Sequence, residues 1–290
     1  MNDSRPVDGD ELGAHVSSSG GVDKCPGRSA EIGGGVLQLF TKVPRFWREP
    51  KLKPGVPDAF RAARAEHGVT AAVSHDSYLI NLASPKPDQW AKSMVSFKAE
   101  LERCRLLGVE FIVTHPGNET EGDHLRGIEK NARGIAECLE DVPGETRVLL
   151  ELTAGSGNSV GGSFENLRAI IDHLPAAAAR RVGVCFDTCH AYSAGYDLVG
   201  DYEGVWAEFD DVLGLDLLEL LHMNDSKHPF RSHRDQHEHI GKGTLGDAPF
   251  RKIMLDERLA RVPKILETPK GDDAVEADRR NLARLRSFRA

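Results

Sequence analysis

Paired cysteines, long apolar runs and an excess of positive charge are all missing from this 290-residue chain. Each absence excludes a class of protein. The five cysteines (Cys25, Cys104, Cys138, Cys185 and Cys189) are scattered and form no CxxC pair, so neither a disulfide framework nor a zinc ribbon is expected. No apolar run approaches the roughly 20 residues that span a bilayer. The N-terminal MNDSRPVDGDE is polar and lacks the apolar core of a signal peptide, which points to a cytoplasmic protein. A net charge of −8 argues at first against nucleic acid as a partner. Three bound divalent ions would leave about −2 and concentrate positive charge where they sit, so local charge decides. What remains is an ordinary globular composition, 40% hydrophobic and 28% charged, in a chain long enough for one large core.

Apolar, β-rich runs alternate with helical patterns eight times. The runs that read as strands are LGAHV, VLQLFT, VTAAVSH, VEFIVTH, RVLLEL, RVGVCFDT, LLELLHM and PKILET. After Pro87, the residues Trp90, Met94, Phe97, Leu101 and Cys104 share one helical face. Further helical patterns run from about Asp123 to Leu139, Phe164 to Leu174, Tyr202 to Leu213, Pro249 to Leu259 and Ala274 to Phe288. Gly closes several of them before the next strand, as in EHGVTAAV and LLGVEFIV. Eight β/α units in about 250 residues predict a TIM (β/α)8 barrel. One α/β domain is expected over residues 11–290, after a disordered tail over residues 1–10. The first unit is the weakest, its helix short and interrupted by Gly33, Gly34 and Gly35. An open doubly wound sheet is the alternative, but it rarely needs eight consecutive units.

Six of the eight strands end on a residue able to bind a divalent metal: His75, His115, Glu151, Asp187, His222 and Glu267. Active sites of such barrels are built at the C-terminal ends of the strands, so these six converge on one face. Singly, a strand-end His is more often a hydrogen-bonded core residue than a ligand. Two loops add candidates. In GVCFDTCHAYSAGYDL, Asp187 and His190 stand three apart just past a strand and can serve two neighbouring metals from one turn. In RDQHEHIGKGTLG, Asp235 and His237 alternate, so an extended segment points both the same way. His228, His233 and His239 read as parts of a solvated loop. The loop in ELTAGSGNSVGGSF lacks the Lys-Ser/Thr ending of a P-loop, so it is expected to clear space for a site rather than to cradle a nucleotide. Nine candidates result, five His, two Asp and two Glu. Mixed N/O donors without thiolate suit Zn²⁺, Mn²⁺ or Fe²⁺, and nine donors with bridging carboxylates fit two or three ions. Metals about 3.5–4 Å apart clamp the attacking and leaving oxygens of phosphoryl displacement.

Together, GAHVSSSGGV, SHDSYLINLASP, VTHPG, the ELTAG loop, GVCFDTCHAYSAGYDL, HMNDSK, DQHEHIGKGTLG and LETP resemble the endonuclease IV family of apurinic/apyrimidinic (AP) endonucleases, from about Leu12 to Phe288. The resemblance implies a barrel with three Zn²⁺ ions at the strand ends, with Mn²⁺ or Fe²⁺ an option at one position. It implies hydrolysis of the phosphodiester 5′ to an abasic site in duplex DNA, leaving a 3′-hydroxyl and a 5′-deoxyribose phosphate, with cleaning of blocked 3′ ends as a companion activity. Carried over, His75, His115 and Glu151 hold one zinc. Glu151 (bridging), Asp187, His222 and Glu267 hold a second, and His190, Asp235 and His237 the third. A hydroxide bridging two zincs is the implied nucleophile, with Glu151 as the catalytic orienting or proton-accepting group.

For DNA contact the matching loops are FTKVPRFW and SHDSYL, with Lys42, Arg45, Trp47 and Tyr78 as candidates, and Lys227, Arg231 and Arg234 as phosphate contacts. Two residues depart from the family pattern. Gln236 stands where Arg is frequent, and Lys242 where the family often has Glu. The first removes a phosphate contact and the second supplies one. Two other classes remain open at this point. One is a metal-dependent sugar isomerase or epimerase on a related barrel, which would hold one or two metals. The other is a catalytically silent DNA-binding protein. A monomer is expected.

Overall fold

The computed structural model describes residues 11–289, so the expected tail over residues 1–10 lies outside the described residues. Parallel strands β1 (Leu12–His15), β2 (Val36–Phe40), β3 (Ala71–His75), β4 (Phe111–Thr114), β5 (Arg147–Glu151), β6 (Val182–Asp187) and β7 (Leu218–His222) follow one another around a ring. An antiparallel hairpin of β8 (Asp225–Ser226) and β9 (His237–Glu238) intervenes before β10 (Lys264–Leu266). β10 pairs with both β7 and β1, and β1 pairs with β2, which closes an eight-stranded barrel. All eight strands expected from the sequence are present.

Helices fill the connections: α1 (Cys25–Glu31), α2 (Val56–Glu66), α3 (Pro87–Leu107), α4 (His124–Asp141), α5 (Phe164–Asp172), α6 (Ala176–Ala179), α7 (Thr188–Ala194), α8 (Tyr202–Val212), α9 (Asp247–Leu255) and α10 (Ala274–Arg286). Their ends follow local chemistry. α3 begins on Pro87, whose missing N–H costs nothing in a first turn, and stops at Gly108, whose φ of 72° suits a residue without Cβ. It buries Phe97, Leu101 and Cys104 and half-buries Trp90 and Met94, the face expected from their spacing. Asp123, Ser163, Asp201 and Asp273 cap α4, α5, α8 and α10 by accepting a backbone N–H, each worth about 1 kcal/mol. Three details differ from the sequence reading. Gly33, Gly34 and Gly35 do not interrupt α1 but form the turn after it, with Gly33 at φ +79°. α2 had no reading in the sequence pattern. The turn holding Asp187 and His190 is helical, as α7.

Alternation along the strands positions the site. Strand side chains point to opposite faces by turns. One face of each strand packs against helices, as Leu37, Leu39, Ile112, Leu150 and Phe186 do. The other face fills the barrel with a separate apolar cluster that includes Val36, Val73, Val113, Leu149, Cys185, Leu220 and Ile265. Two residues further along, on the same face, come Gln38, His75, His115, Glu151, Asp187, His222 and Glu267. On β1, His15 follows Gly13 in the same way. Gly13 has no freedom to be larger, because a Cβ there would lie 1.9 Å from the carbonyl oxygen of Val36. The barrel therefore carries a polar layer immediately above an apolar one, at its C-terminal mouth.

Candidate metal centre

Glu151 sits at the middle of this polar layer and is fully buried. One carboxylate oxygen lies 3.2 Å from His75 Nε2 and 3.0 Å from His115 Nε2. The other lies 3.0 Å from His222 Nδ1 and 3.3 Å from His190 Nδ1. His222 Nδ1 also faces Glu267 at 3.3 Å and Asp187 at 3.8 Å. On the far side, Asp235 Oδ1 lies 3.1 Å from His190 Nε2 and 3.3 Å from His237 Nε2. All nine side chains singled out from the sequence thus come together. Three groups, the first two sharing Glu151, each bring their donor atoms within 4.8 Å of one another: His75–His115–Glu151, Glu151–Asp187–His222–Glu267, and His190–Asp235–His237.

The histidines are held so that one nitrogen faces the cluster. His75 Nδ1 donates to the Asp76 carbonyl at 3.0 Å, His190 Nδ1 to that of Leu152 at 2.9 Å, and His237 Nδ1 to that of Glu267 at 3.2 Å. With one proton committed there, the neutral ring has its lone pair on Nε2, toward the cluster. His190 Nε2 and His237 Nε2 are buried and make no well-aligned hydrogen bond, both facing the same Asp235 oxygen, an arrangement that a cation among the three would satisfy. His222 is turned the other way: its Nε2 meets Gln38 Oε1 at 2.8 Å and its Nδ1 faces the carboxylates. Asn224 orients two further members, donating to Asp187 Oδ2 at 2.7 Å and accepting from the Glu267 N–H at 2.8 Å.

Charge points the same way. Burial alone would raise the Glu151 carboxyl, but His222 and His115 hold it well below the usual carboxylate range. Burial opposes and His222, then a hydrogen bond with His15, hold Glu267 well below it too. Asp235 is lowered against burial by His190 and His237. His75, which burial would lower, is pushed up to about 10, chiefly by its bond to Glu151. Carboxylates packed this closely and kept ionised demand positive charge, from imidazolium protons or from metal ions. The donor set fits the latter: nitrogen and oxygen ligands in groups of three and four, with one carboxylate central to two groups. Cys185 and Cys189 lie within reach of two groupings, but burial pushes both thiols up, Cys189 to about 12.

The cluster opens into a cavity of about 590 Å³, whose wall is completed by His15, Phe40, Tyr78, Gln236, Thr268 and Lys270. A smaller polar recess beside His115, His190 and Asp235 is walled by Asn118, Thr153, Ser156 and Ser159, so the Gly-rich loop after β5 does border the site. A larger hollow, about 820 Å³, lies between α4 and α6 and contains none of the cluster's donors. His15, Gln38 and Asn224 had no place in the sequence reading. The signal for the first two was present: His15 closes β1 as His75 closes β3, and Gln38 is a lone amide within VLQLF.

The candidates for DNA contact separate. Tyr78 is 61% exposed at the cavity rim, its ring 5.4 Å from that of Phe40. Arg45, Lys227 and Arg231 are exposed, and the Arg231 guanidinium lies 5.1 Å over Phe230. Trp47 is half-buried beside Val95 and Ser96 of α3. Exposed Val43 and Phe46 flank Arg45 and were not singled out. Lys42 is corrected. Its side chain is 1% exposed, and its ammonium donates to Glu49 at 2.6 Å and Ser96 at 2.8 Å, so it has no access to DNA. Polar partners inside the loop and on α3, not DNA, take up its charge.

Comparison with known proteins gives concordant results. Residues 27–288 match the family model described as a xylose isomerase-like TIM barrel. A probable endonuclease 4 of Geobacter sulfurreducens is 46% identical over 280 residues, covering 96% of this chain and 94% of that protein. One of Halorhodospira halophila is 45% identical over 267 residues, covering 91% and 89%. The crystal structure of endonuclease IV from Thermus thermophilus superposes with a TM-score of 0.85 at 36% identity, covering 96% of this chain and 98% of that one.

Proposed function

The chain belongs to the endonuclease IV family, and from that premise we propose that it hydrolyses the phosphodiester 5′ to abasic sites in duplex DNA at a trinuclear zinc centre. The observation that carries the reading is the nine-donor cluster in the polar layer of the barrel. His75, His115 and Glu151 would hold one ion, Glu151, Asp187, His222 and Glu267 a second, and His190, Asp235 and His237 a third. Mn²⁺ or Fe²⁺ at one position is compatible with the same donors. When bound, such ions supply Lewis acidity toward the phosphate and make water a competent nucleophile at neutral pH.

The chain's own residues supply position and exclusion. Glu151 is buried and kept ionised, with two imidazoles facing each of its oxygens, so it is fixed as an orienting or proton-accepting group. No cysteine acts as nucleophile, because the thiols nearest the cluster are kept protonated by burial. Phe40 and Tyr78 form an apolar rim where an unstacked nucleotide can rest. Arg45 and Trp47 would contact the duplex beside the lesion, and Lys227, Arg231 and Arg234 its phosphates. Gln236 borders the cavity and accepts from His228 Nε2 at 2.9 Å, so it is engaged within its own loop; Lys242 is exposed and free to meet a phosphate. The products would be a 3′-hydroxyl and a 5′-deoxyribose phosphate, with cleaning of blocked 3′ ends by the same centre. The partner is damaged duplex DNA in the cytoplasm, at the nucleoid, and the protein would act as a monomer; among the described residues no helix is long and apolar enough to cross a membrane.

A duplex carrying one tetrahydrofuran abasic analogue tests the reading. Incision on the 5′ side, lost on chelation and regained with zinc, is expected; a fully metal-loaded protein that leaves the duplex intact refutes it.

A further inference from the structure

Gln38 is a polar residue in the middle of β2, fully buried, on the strand face that carries Val36 one step below. Burying an unbonded amide is costly, so what this one bonds to explains why it is tolerated. Its Nε2 lies 2.6 Å from Glu267 Oε1 and 3.0 Å from His15 Nδ1, and its Oε1 lies 2.8 Å from His222 Nε2. These contacts fix which end of the amide is which. A carboxylate only accepts, so the group facing Glu267 is the NH2. The oxygen then faces His222, and an oxygen only accepts, so His222 must carry its proton on Nε2. Nδ1 is thereby the nitrogen left facing Glu151, Glu267 and Asp187, where its lone pair can serve a metal ion held among those carboxylates.

We propose that Gln38, which is not among the candidate ligands, sets the tautomer of His222 and the seat of Glu267, and is a positioning residue for the second metal position. His75, His190 and His237 have their outer nitrogens held by backbone carbonyls, which no substitution removes. His222 depends on a side chain. Without Gln38, its Nε2–H loses its partner in a buried layer, Glu267 Oε1 keeps only His15 at 3.5 Å, and the ring is free to place its proton on Nδ1, where it blocks ligation. Partners behind a metal ligand typically govern about 10–100-fold in metal affinity. The inference rests on the zinc reading above, and zinc alone is the probe.

Zinc content is measured on the whole protein and on Gln38→Leu, after equilibration with chelators of graded strength. The expected result is three zincs per chain in the unaltered protein, and one that dissociates about 10–100-fold more readily in Gln38→Leu while two stay. If the unaltered protein binds zinc and Gln38→Leu binds it identically, the assignment of Gln38 is overturned and the zinc reading stands. If the unaltered protein binds none, both fall. Long-range ¹H–¹⁵N correlation of the His222 ring in the zinc-loaded unaltered protein decides even if the variant does not fold. A proton on Nε2 supports the inference, and a proton on Nδ1 overturns it.

Discussion

Replacing Lys42 by Met separates a tether from a DNA contact. Lys42 belongs to a buried network that ties the loop after β2 to α3. Its ammonium bonds Glu49 and Ser96 and lies 3.9 Å from Glu100, while Arg103 pairs with Glu49 at 2.9 Å and donates to Thr41 at 3.1 Å. Removing one partner of a buried pair costs about 3–5 kcal/mol. Two features put Lys42→Met at the lower end, about 3 kcal/mol. Arg103 remains on Glu49, and burial, then Asp76, pushes Glu100 up to about 8, so it is mostly neutral at pH 7 and leaves no bare charge. For a chain of this size each kcal/mol moves the melting temperature by about 2–4 °C, which gives a fall on the order of 10 °C. The second measurement is the salt dependence of binding to an abasic duplex. Loss of a phosphate contact lowers the slope of log K against log salt by about 1. Lys42→Met is expected to leave that slope unchanged, and Arg45→Ala to lower it. A Lys42→Met protein that melts normally but shows the lower slope refutes the buried tether.

Three further outcomes follow from the same contacts. In the metal-free protein, His75 is pushed from its ordinary value of 6.5 up to about 10, so its stabilisation is full below about 6.5 and is lost as pH rises toward 10. Metal ligation needs the neutral ring, so the gap in melting temperature between zinc-loaded and metal-free protein should widen from about pH 6.5 to about pH 9; a gap that narrows contradicts the protonated cluster. Asp123→Ala removes the cap of α4 and is expected to cost about 1 kcal/mol in urea unfolding, with incision unchanged. Gly13→Ala would drive a Cβ into the Val36 carbonyl within the barrel wall, and circular dichroism should find little folded protein.

The barrel was legible because alternation and helical spacing are local. Val73 to His75 and Leu149 to Glu151 each place an apolar residue below a polar one, and the sequence shows both steps. α2 was missed although Val56, Ala59, Phe60 and Ala63 stand on one helical face, because Phe60 alone among them is large and fully buried. His15 and Gln38 carried the same signal as the other strand residues, but β1 was read through to Val16 and an amide was not considered a site residue. Lys42 shows the opposite failure. Burial of a lysine depends on Glu49, seven residues on, and on Ser96, Glu100 and Arg103 from α3, and no local pattern announces those partners.

One measurement bears most directly on the nine-residue centre: zinc content and abasic-site incision determined on the same samples of the unaltered protein and of Glu151→Gln. Glu151 is shared by two of the three donor groups, so its replacement should lower zinc content and abolish incision while abasic duplex still binds. About three zincs per chain in the unaltered protein, with incision tracking occupancy, is the predicted result. Incision by Glu151→Gln at the unaltered rate, or by the unaltered protein stripped of metal, would contradict it.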